Sequence, residues 1–332
     1  MRSFRNFCII LLMLALAGTL LAQAQKPSGY KVSQRVTLGG EGGWDFLTFD
    51  GPAHRLYVTR ASRVMVINLD SGKQIGEILN TSGVHGVALA YKTGRGVTSN
   101  GKENSATIFD LKTLAPIATV KTGLKPDAIL FDPFSSLVMT FNGGSNNITL
   151  LDPEKAVAVD SITLPGRPET GVSDGKGKIF VNLEDKNQIA VIDIASRKVL
   201  ATWPLTGCDE PTGLALDNAN HRLFSGCHNG VLVVVDADSG RNVQKLAIGN
   251  GVDATAYDRE AGLVFTSNGE GNISVIRQEG PDKYTSFANV LTQKGAKTMA
   301  LDTNKHVVYS VANGAADASG KPGVFEMIVV ER

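Results

Sequence analysis

From Trp44 onward the chain is written in short apolar runs of four to seven residues, separated by polar and glycine-containing turns. The first phrase reads Trp44 to Asp50, His54 to Arg60, Val64 to Leu69 and Lys73 to Leu79, broken by Gly51-Pro52 and Ser71-Gly72. Alternation, β-branched content and turn-forming breaks predict four strands. The phrase then recurs. Second runs begin at Arg95, Leu137, Ile179, Leu223, Leu263 and Val307, and third runs at Ala106, Ile148, Ile189, Leu232 and Ile273. The register marks Trp44-Asp45, His85-Gly86, Pro126-Asp127, Pro168-Glu169, Pro211-Thr212, Val252-Asp253 and Ala296-Lys297 stand 41, 41, 42, 43, 41 and 44 positions apart. A period of about 40–45 residues with four strands per unit predicts an all-β protein, a seven-bladed β-propeller of four-stranded antiparallel blades.

The seventh phrase is short of one strand, because after runs near Lys297, Val307 and Phe325 to Val330 the sequence stops. An open strand edge exposes backbone donors and acceptors. Tyr30 to Leu38 is a strand-like run with no place in blade 1, so it is expected to close the ring as the outer strand of blade 7. If each inner strand runs from a top face to a bottom face, His54, His221 and His306, just before second strands, fall in bottom turns. His85 and His228 then fall on top.

The run Leu56-Tyr57-Val58-Thr59 and the third strands resemble the YVTN-repeat propellers, exported bacterial proteins related in fold to the haem d1 domain of cytochrome cd1 nitrite reductase. Cys208 to Asp217, Leu223 to Gly230 and Gly295 to Asp302 are similar to the YncE-like branch. The resemblance covers essentially the whole chain after residue 24 and implies fold and export. No haem-pocket residues match, so no haem is expected.

The first 24 residues read as a separate element. Arg2 and Arg5 precede an apolar stretch, Phe7 to Leu21, and the small-x-small Ala22-Gln23-Ala24 follows. That is the pattern of a cleaved secretory signal, leaving 25–332 as a single propeller domain, periplasmic or secreted, with no membrane span. Removing those two arginines from 33 Lys and Arg leaves 31 against 32 Asp and Glu, a net charge of −1. A monomer is expected, and the charge balance argues against a nucleic-acid partner. Cys8 leaves with the signal. Cys208 and Cys227 flank the first two strands of blade 5, and an even pair in an exported protein favours a disulfide over metal ligation or free thiols.

Candidate chemistry gathers at the top of the central channel. Asp45, Asp127, Glu169, Glu210 and Asp253 occupy equivalent places at inner-strand starts, and Lys297 takes that place in blade 7. Either these carboxylates cap strand starts or they converge into a site for a cation or a hydroxyl-rich ligand. Trp44 and Arg60 depart from the repeat, and with His85 and His228 they complete the candidate ligand-binding set. Asn100, Asn142, Asn182, Asn268 and Asn313 form a second top series. Four of them precede Gly and read as turn residues, with lining of the mouth as the alternative. The long loop Asn313 to Gly323 is either a lid or a tolerated insertion.

There is no Gly-x-Ser-x-Gly elbow, no Cys-x-x-Cys-His and no phosphate-cradling glycine loop. The leading expectation is therefore a non-catalytic binding protein for a small ligand, a cation or a protein partner, with no dedicated cofactor. The alternative is a metal-assisted, lactonase-like hydrolase with a divalent cation at the channel mouth. Nucleic-acid binding is the third.

Overall fold

The computed structural model describes residues 29–316, 320, 321 and 323–332; the expected signal segment lies outside them. The described residues form seven four-stranded antiparallel sheets. Six are built from consecutive strands, from Trp44–Asp50, Arg55–Arg60, Arg63–Asn68 and Lys73–Ile78 in blade 1 to Val252–Asp258, Leu263–Asn268, Asn272–Gly280 and Lys283–Leu291 in blade 6. In the seventh, Lys31–Thr37 pairs with Phe325–Glu331, followed inward by Val307–Asn313 and Met299–Asp302. The expected N-terminal closure is present. Tyr30 extends it by setting its ring edge-on against Phe265 at 5.3 Å. No helix among the described residues is long and apolar enough to cross a membrane.

Second and third strands are buried on both faces, which is why their sequences read as near-continuous apolar runs. The core is accordingly divided, with one apolar wedge between each pair of neighbouring blades. Phe141, Ile148, Ile179 and Val181 fill the wedge between blades 3 and 4. Tyr309, Met327, Leu56 and Met65 fill the one between blades 7 and 1.

The turns follow from backbone conformation. The residue before every second strand has positive φ: His54, Gly94, Ser136, Gly177, His221, Gly262 and His306. Here the three bottom histidines act as left-handed turn residues, each with Nδ1 2.6–2.7 Å from an aspartate. The recurrent Asp that ends third strands accepts backbone N–H groups two and three residues on, as Asp110 does from Lys112 and Thr113.

Every outer strand carries a β-bulge at the same level. The extra residues are Ile75, Ile117, Val159, Leu200, Val243, Phe287 and Ser33. A bulge bends a free edge away from the flat geometry that strand addition needs.

Candidate functional site

Inner strands are crowded at the channel, and each begins with an irregularity that creates the site. In blade 1, Trp44 pairs with Arg60 and Leu47 with Val58, so Asp45 and Phe46 together oppose one residue. The same break falls at His85-Gly86, Asp127-Ala128, Glu169-Thr170, Thr212-Gly213 and Asp253. Bulges re-aim side chains. Here they define an equivalent position in six blades, and Lys297, just before the short inner strand Met299–Asp302, supplies the seventh. Read around the ring, the residues are Asp45, His85, Asp127, Glu169, Thr212, Asp253 and Lys297.

Two positions differ from the sequence expectation. In blade 2 the equivalent pair is Val84-His85, one residue earlier than His85-Gly86, because Val84 pairs with Asn100. His85 therefore belongs to the ring itself. In blade 5 the ring position is held by Thr212, whose hydroxyl donates to the Val252 carbonyl at 2.7 Å. Glu210 precedes Pro211 with φ 51° and is exposed, 3.9 Å from His228 Nδ1. Neighbouring hydroxyls hold the bulged backbone: Ser99 donates to the Asp127 carbonyl, Ser267 to that of Lys297, and Ser310 to that of Thr298. Gly213 is required by the crowding, since a Cβ there would lie 2.5 Å from the Thr255 backbone nitrogen.

Five ring residues form one chain of alternating charge across blades 6, 7, 1, 2 and 3. Lys297 Nζ lies 3.1 Å from Asp253 and 3.6 Å from Asp45, and His85 Nδ1 lies 2.5 Å from Asp45 and 3.2 Å from Asp127. Burial works against the charge on His85, but the hydrogen bond to Asp45 and the fields of Asp127 and Asp45 outweigh it, and its pKa is raised. Lys297 is held charged in the same way, by Asp253 and Asp45 against its burial.

Burial raises Asp127 to about 6, with His85 pulling it down and Asp45 and Asp253 pushing it up. Glu169, in the next blade, has no cationic partner among the described residues. Desolvation first, then the charges of Asp127, Glu184 and Asp253, raise its carboxyl well above the usual range, which favours the neutral acid. Asp253 is also raised, chiefly by burial.

The other candidates are placed as follows. Trp44 stands at the edge of the cluster and packs on Phe325 at 5.2 Å. Arg60 is buried away from the ring at 1 % exposure, its guanidinium 3.7 Å above the Phe325 ring and donating to the Gly40 carbonyl at 2.7 Å. Desolvation, then Arg63, pushes its pKa down to about 10. It offsets none of the ring carboxylates.

His228 and Glu210 belong to a second group, with Arg167 and Glu184, which pair at 2.6 Å; this group adjoins the ring, since the field of His228 reaches Asp253 and that of Glu184 reaches Glu169. Glu184, absent from the sequence reading, is raised by burial. Cys208 and Cys227 are bonded at 2.08 Å and buried, tying together the two segments that carry Glu210 and His228.

Four of the five residues of the Asn series neither turn the chain nor line the mouth. Asn100, Asn142 and Asn268 are fully buried as the last residues of second strands, and Asn182, one residue before the end of its strand, is buried too and donates to the Thr212 and Gly213 carbonyls. Asn142 donates to Asn147 and Thr149 and accepts from Thr140; Asn100 and Asn268 make similar sets. Left-handed conformation falls instead to the residue before the third strand: Asn104, Asn146, Asn187, Gly230 and Gly271. The loop Asn313 to Gly323 lies partly outside the described residues, and its ends are joined by Gly314 donating to the Val324 carbonyl.

Chemically, the ring offers carboxylates, one imidazolium and one ammonium beside a cavity of about 530 Å³ whose wall includes Trp44, Asp45, His85 and Asp127. The nearest donor atoms of Asp45, His85 and Asp127 lie within 4.8 Å of one another, a spacing compatible with one metal ion. The ring's one hydroxyl, on Thr212, is committed to a backbone carbonyl and faces no base.

The comparisons speak to the fold. No family model matches the chain, and no curated protein does. Among solved structures, the chain is similar to a chain of Kuenenia stuttgartiensis hydrazine synthase, with a TM-score of 0.71 and 15 % identity over 82 % of this chain and 93 % of that one. A chain of the mitotic checkpoint complex matches with a TM-score of 0.75 and 12 % identity over 99 % of both. The RRP9 WD40 repeats match with 0.76 and 10 % over 93 % and 99 %. At these identities the likeness defines the class, a seven-bladed β-propeller of WD40-like architecture, and nothing finer.

Proposed function

We propose that this protein is an exported, non-catalytic propeller that binds a small ligand at the top mouth of its channel. The observation that carries the reading is the ring itself. Six inner strands bulge at one level, and five of the seven ring residues join in an alternating ion-pair chain beside an open cavity. Strand capping alone would need no such convergence from five blades. Two half-buried cations against four acids, one of them favouring its neutral form, leave the ring short of positive charge by about one unit. A ligand presenting a cationic or hydrogen-donating head supplies it. The Leu56-Tyr57-Val58-Thr59 repeat and the phrases around Cys208 and Gly295 support membership of the YVTN-repeat, YncE-like group, and the N-terminal charge and apolar pattern supports export to the periplasm or beyond.

A thermal-shift screen of the wild type beside Asp45→Asn/Asp253→Asn tests this, because ligands of the native state stabilise it by mass action. Hits should lose their shift in the variant. Hits that shift both proteins equally would refute the site.

The spacing of Asp45, His85 and Asp127 favours one second reading, a metal-assisted hydrolase in which these three hold a divalent cation that polarises a carbonyl. Calorimetric titration with Ca²⁺ and Zn²⁺ decides it. Stoichiometric binding abolished by His85→Gln supports the metal reading, and no heat rules it out.

A further inference from the structure

The cavity beside the ring is lined by groups of both charges, and this narrows its ligand. The lining presents Asp45 and Asp127, with 17 % and 32 % of their side chains exposed, and His85 between them. With His85 charged, that trio keeps one net negative charge. The same lining also includes Lys102 and Lys125. Both are exposed, and neither has an ion-pair partner among the described residues, unlike Lys297 or Lys155. The Lys125 N–H donates to the Asn104 side chain at 2.8 Å, and Gly101, the residue before Lys102, donates to the Gly83 carbonyl at 2.8 Å.

The rest of the wall is largely apolar or bare. Trp44 is part of that wall, and its Nε1 is fully buried. Gly101 leaves room for the imidazole, since a Cβ there would lie 2.7 Å from His85 Nε2.

We infer that this cavity binds a zwitterion with an apolar body, an amino acid or short peptide with both termini free. Its ammonium would sit toward Asp45 and Asp127, its carboxylate toward Lys102 and Lys125, and its side chain against Trp44. The inference rests on the reading of this cavity as the ligand site and adds the ligand class. A polyamine or a dication would set its second charge against the lysines. A dicarboxylate would meet Asp45 and Asp127. A neutral sugar would leave both sets of charges unanswered, and a mismatched charge disfavours the wrong partner more than it aids the right one. The volume of about 530 Å³ lies within the usual range for small-molecule sites and leaves room beyond one amino acid.

Isothermal titration of the full chain with L-leucine and with leucylglycine tests the inference, alongside leucylglycine blocked as its N-acetyl form or as its C-terminal amide. At least one free zwitterion should bind, and each blocked dipeptide should bind about tenfold or more weakly, the equivalent of roughly 1.4 kcal/mol. Charge removal should match the block. Asp127→Asn should weaken the free zwitterion but not the N-acetyl form, and Lys102→Met/Lys125→Met should weaken it but not the amide.

Absence of binding by both free zwitterions at millimolar concentration overturns the inference, as does equal binding of free and blocked forms. A non-zwitterionic compound whose binding is lost in Asp127→Asn would leave the ligand site standing while removing this ligand class. Zwitterion binding unaffected by all of these substitutions would remove both.

Discussion

Replacing Asp127 by Asn should stabilise the unliganded protein, and most at high pH. The Asp127 carboxyl titrates at about 6 in the fold against 3.8 in a free chain, because burial, Asp45 and Asp253 together oppose its charge more than His85 favours it. The sign follows from linkage. Below pH 4 the group is protonated in both states and contributes nothing. Between 4 and 6 the unfolded chain releases its proton first, so the folded state loses stability as pH rises. Above 6 the full penalty is present.

About two pH units at 1.36 kcal/mol each give roughly 3 kcal/mol. Because 32 % of the side chain remains in contact with water, solvent screening reduces this to about 1–2 kcal/mol. Asparagine keeps the shape without the charge, and Asp45 remains to pair His85. Urea unfolding of both proteins at pH 4.5 and pH 8 should show a variant more stable by that amount at the higher pH and by only about a third of it at the lower. A variant less stable than wild type at pH 8, or a gain independent of pH, would refute the account of a strained carboxylate ring.

The Cys208–Cys227 bond closes a loop of separation 19, for which chain entropy gives about 3 kcal/mol; denatured, unreduced protein should show no free thiol on titration, and reduction should lower Tm without unfolding the ring. Deleting Tyr30 to Leu38 removes the strand that pairs with Phe325–Glu331, and size-exclusion chromatography should show aggregation, whereas a disordered linker would be lost without effect. Asn142→Ala leaves the buried Thr140 hydroxyl without its acceptor and takes one donor each from Asn147 and Thr149, and should cost about 1–3 kcal/mol in chemical denaturation, far above the few tenths expected of an exposed turn residue.

The architecture was legible because second and third strands are covered on both faces. Leu137 to Thr140 and Ile148 to Leu151 must then be apolar throughout, and the repeat stands out at every blade. Closure by Tyr30 to Leu38 was legible from counting strands. The ring was legible only in part. Asp45, Asp127, Glu169 and Asp253 fall in phase, but the turn from Arg60 to Arg63 in blade 1 is shorter than its counterpart from Asn100 to Ser105, so blade 2 begins at Val84 and the register mark at His85 reads one place late. In blade 5 the nearest acid, Glu210, drew attention from Thr212, although Pro211-Thr212 sits in the register of Pro126-Asp127 and Pro168-Glu169.

The Asn series misled because Asn-Gly is a strong turn pair. A usable signal lay further on, in hydroxyl residues seven positions later, Thr107 after Asn100 and Thr149 after Asn142, which receive the amide across the hairpin. Arg60 breaks that pattern, and its partner Phe325 comes from a strand 265 residues away, a contact no local pattern encodes.

The chain's five histidines provide the most direct test of the ligand site, since His85 and His228 lie on the top face and His54, His221 and His306 in bottom turns. With histidine labelled at Cε1 and each resonance assigned by single His→Gln substitution, any compound that raises Tm can be followed by NMR. Such a compound should move the His85 resonance and leave those of His54, His221 and His306 in place. A bound compound that shifts a bottom histidine while His85 stays still would contradict the placement of the site.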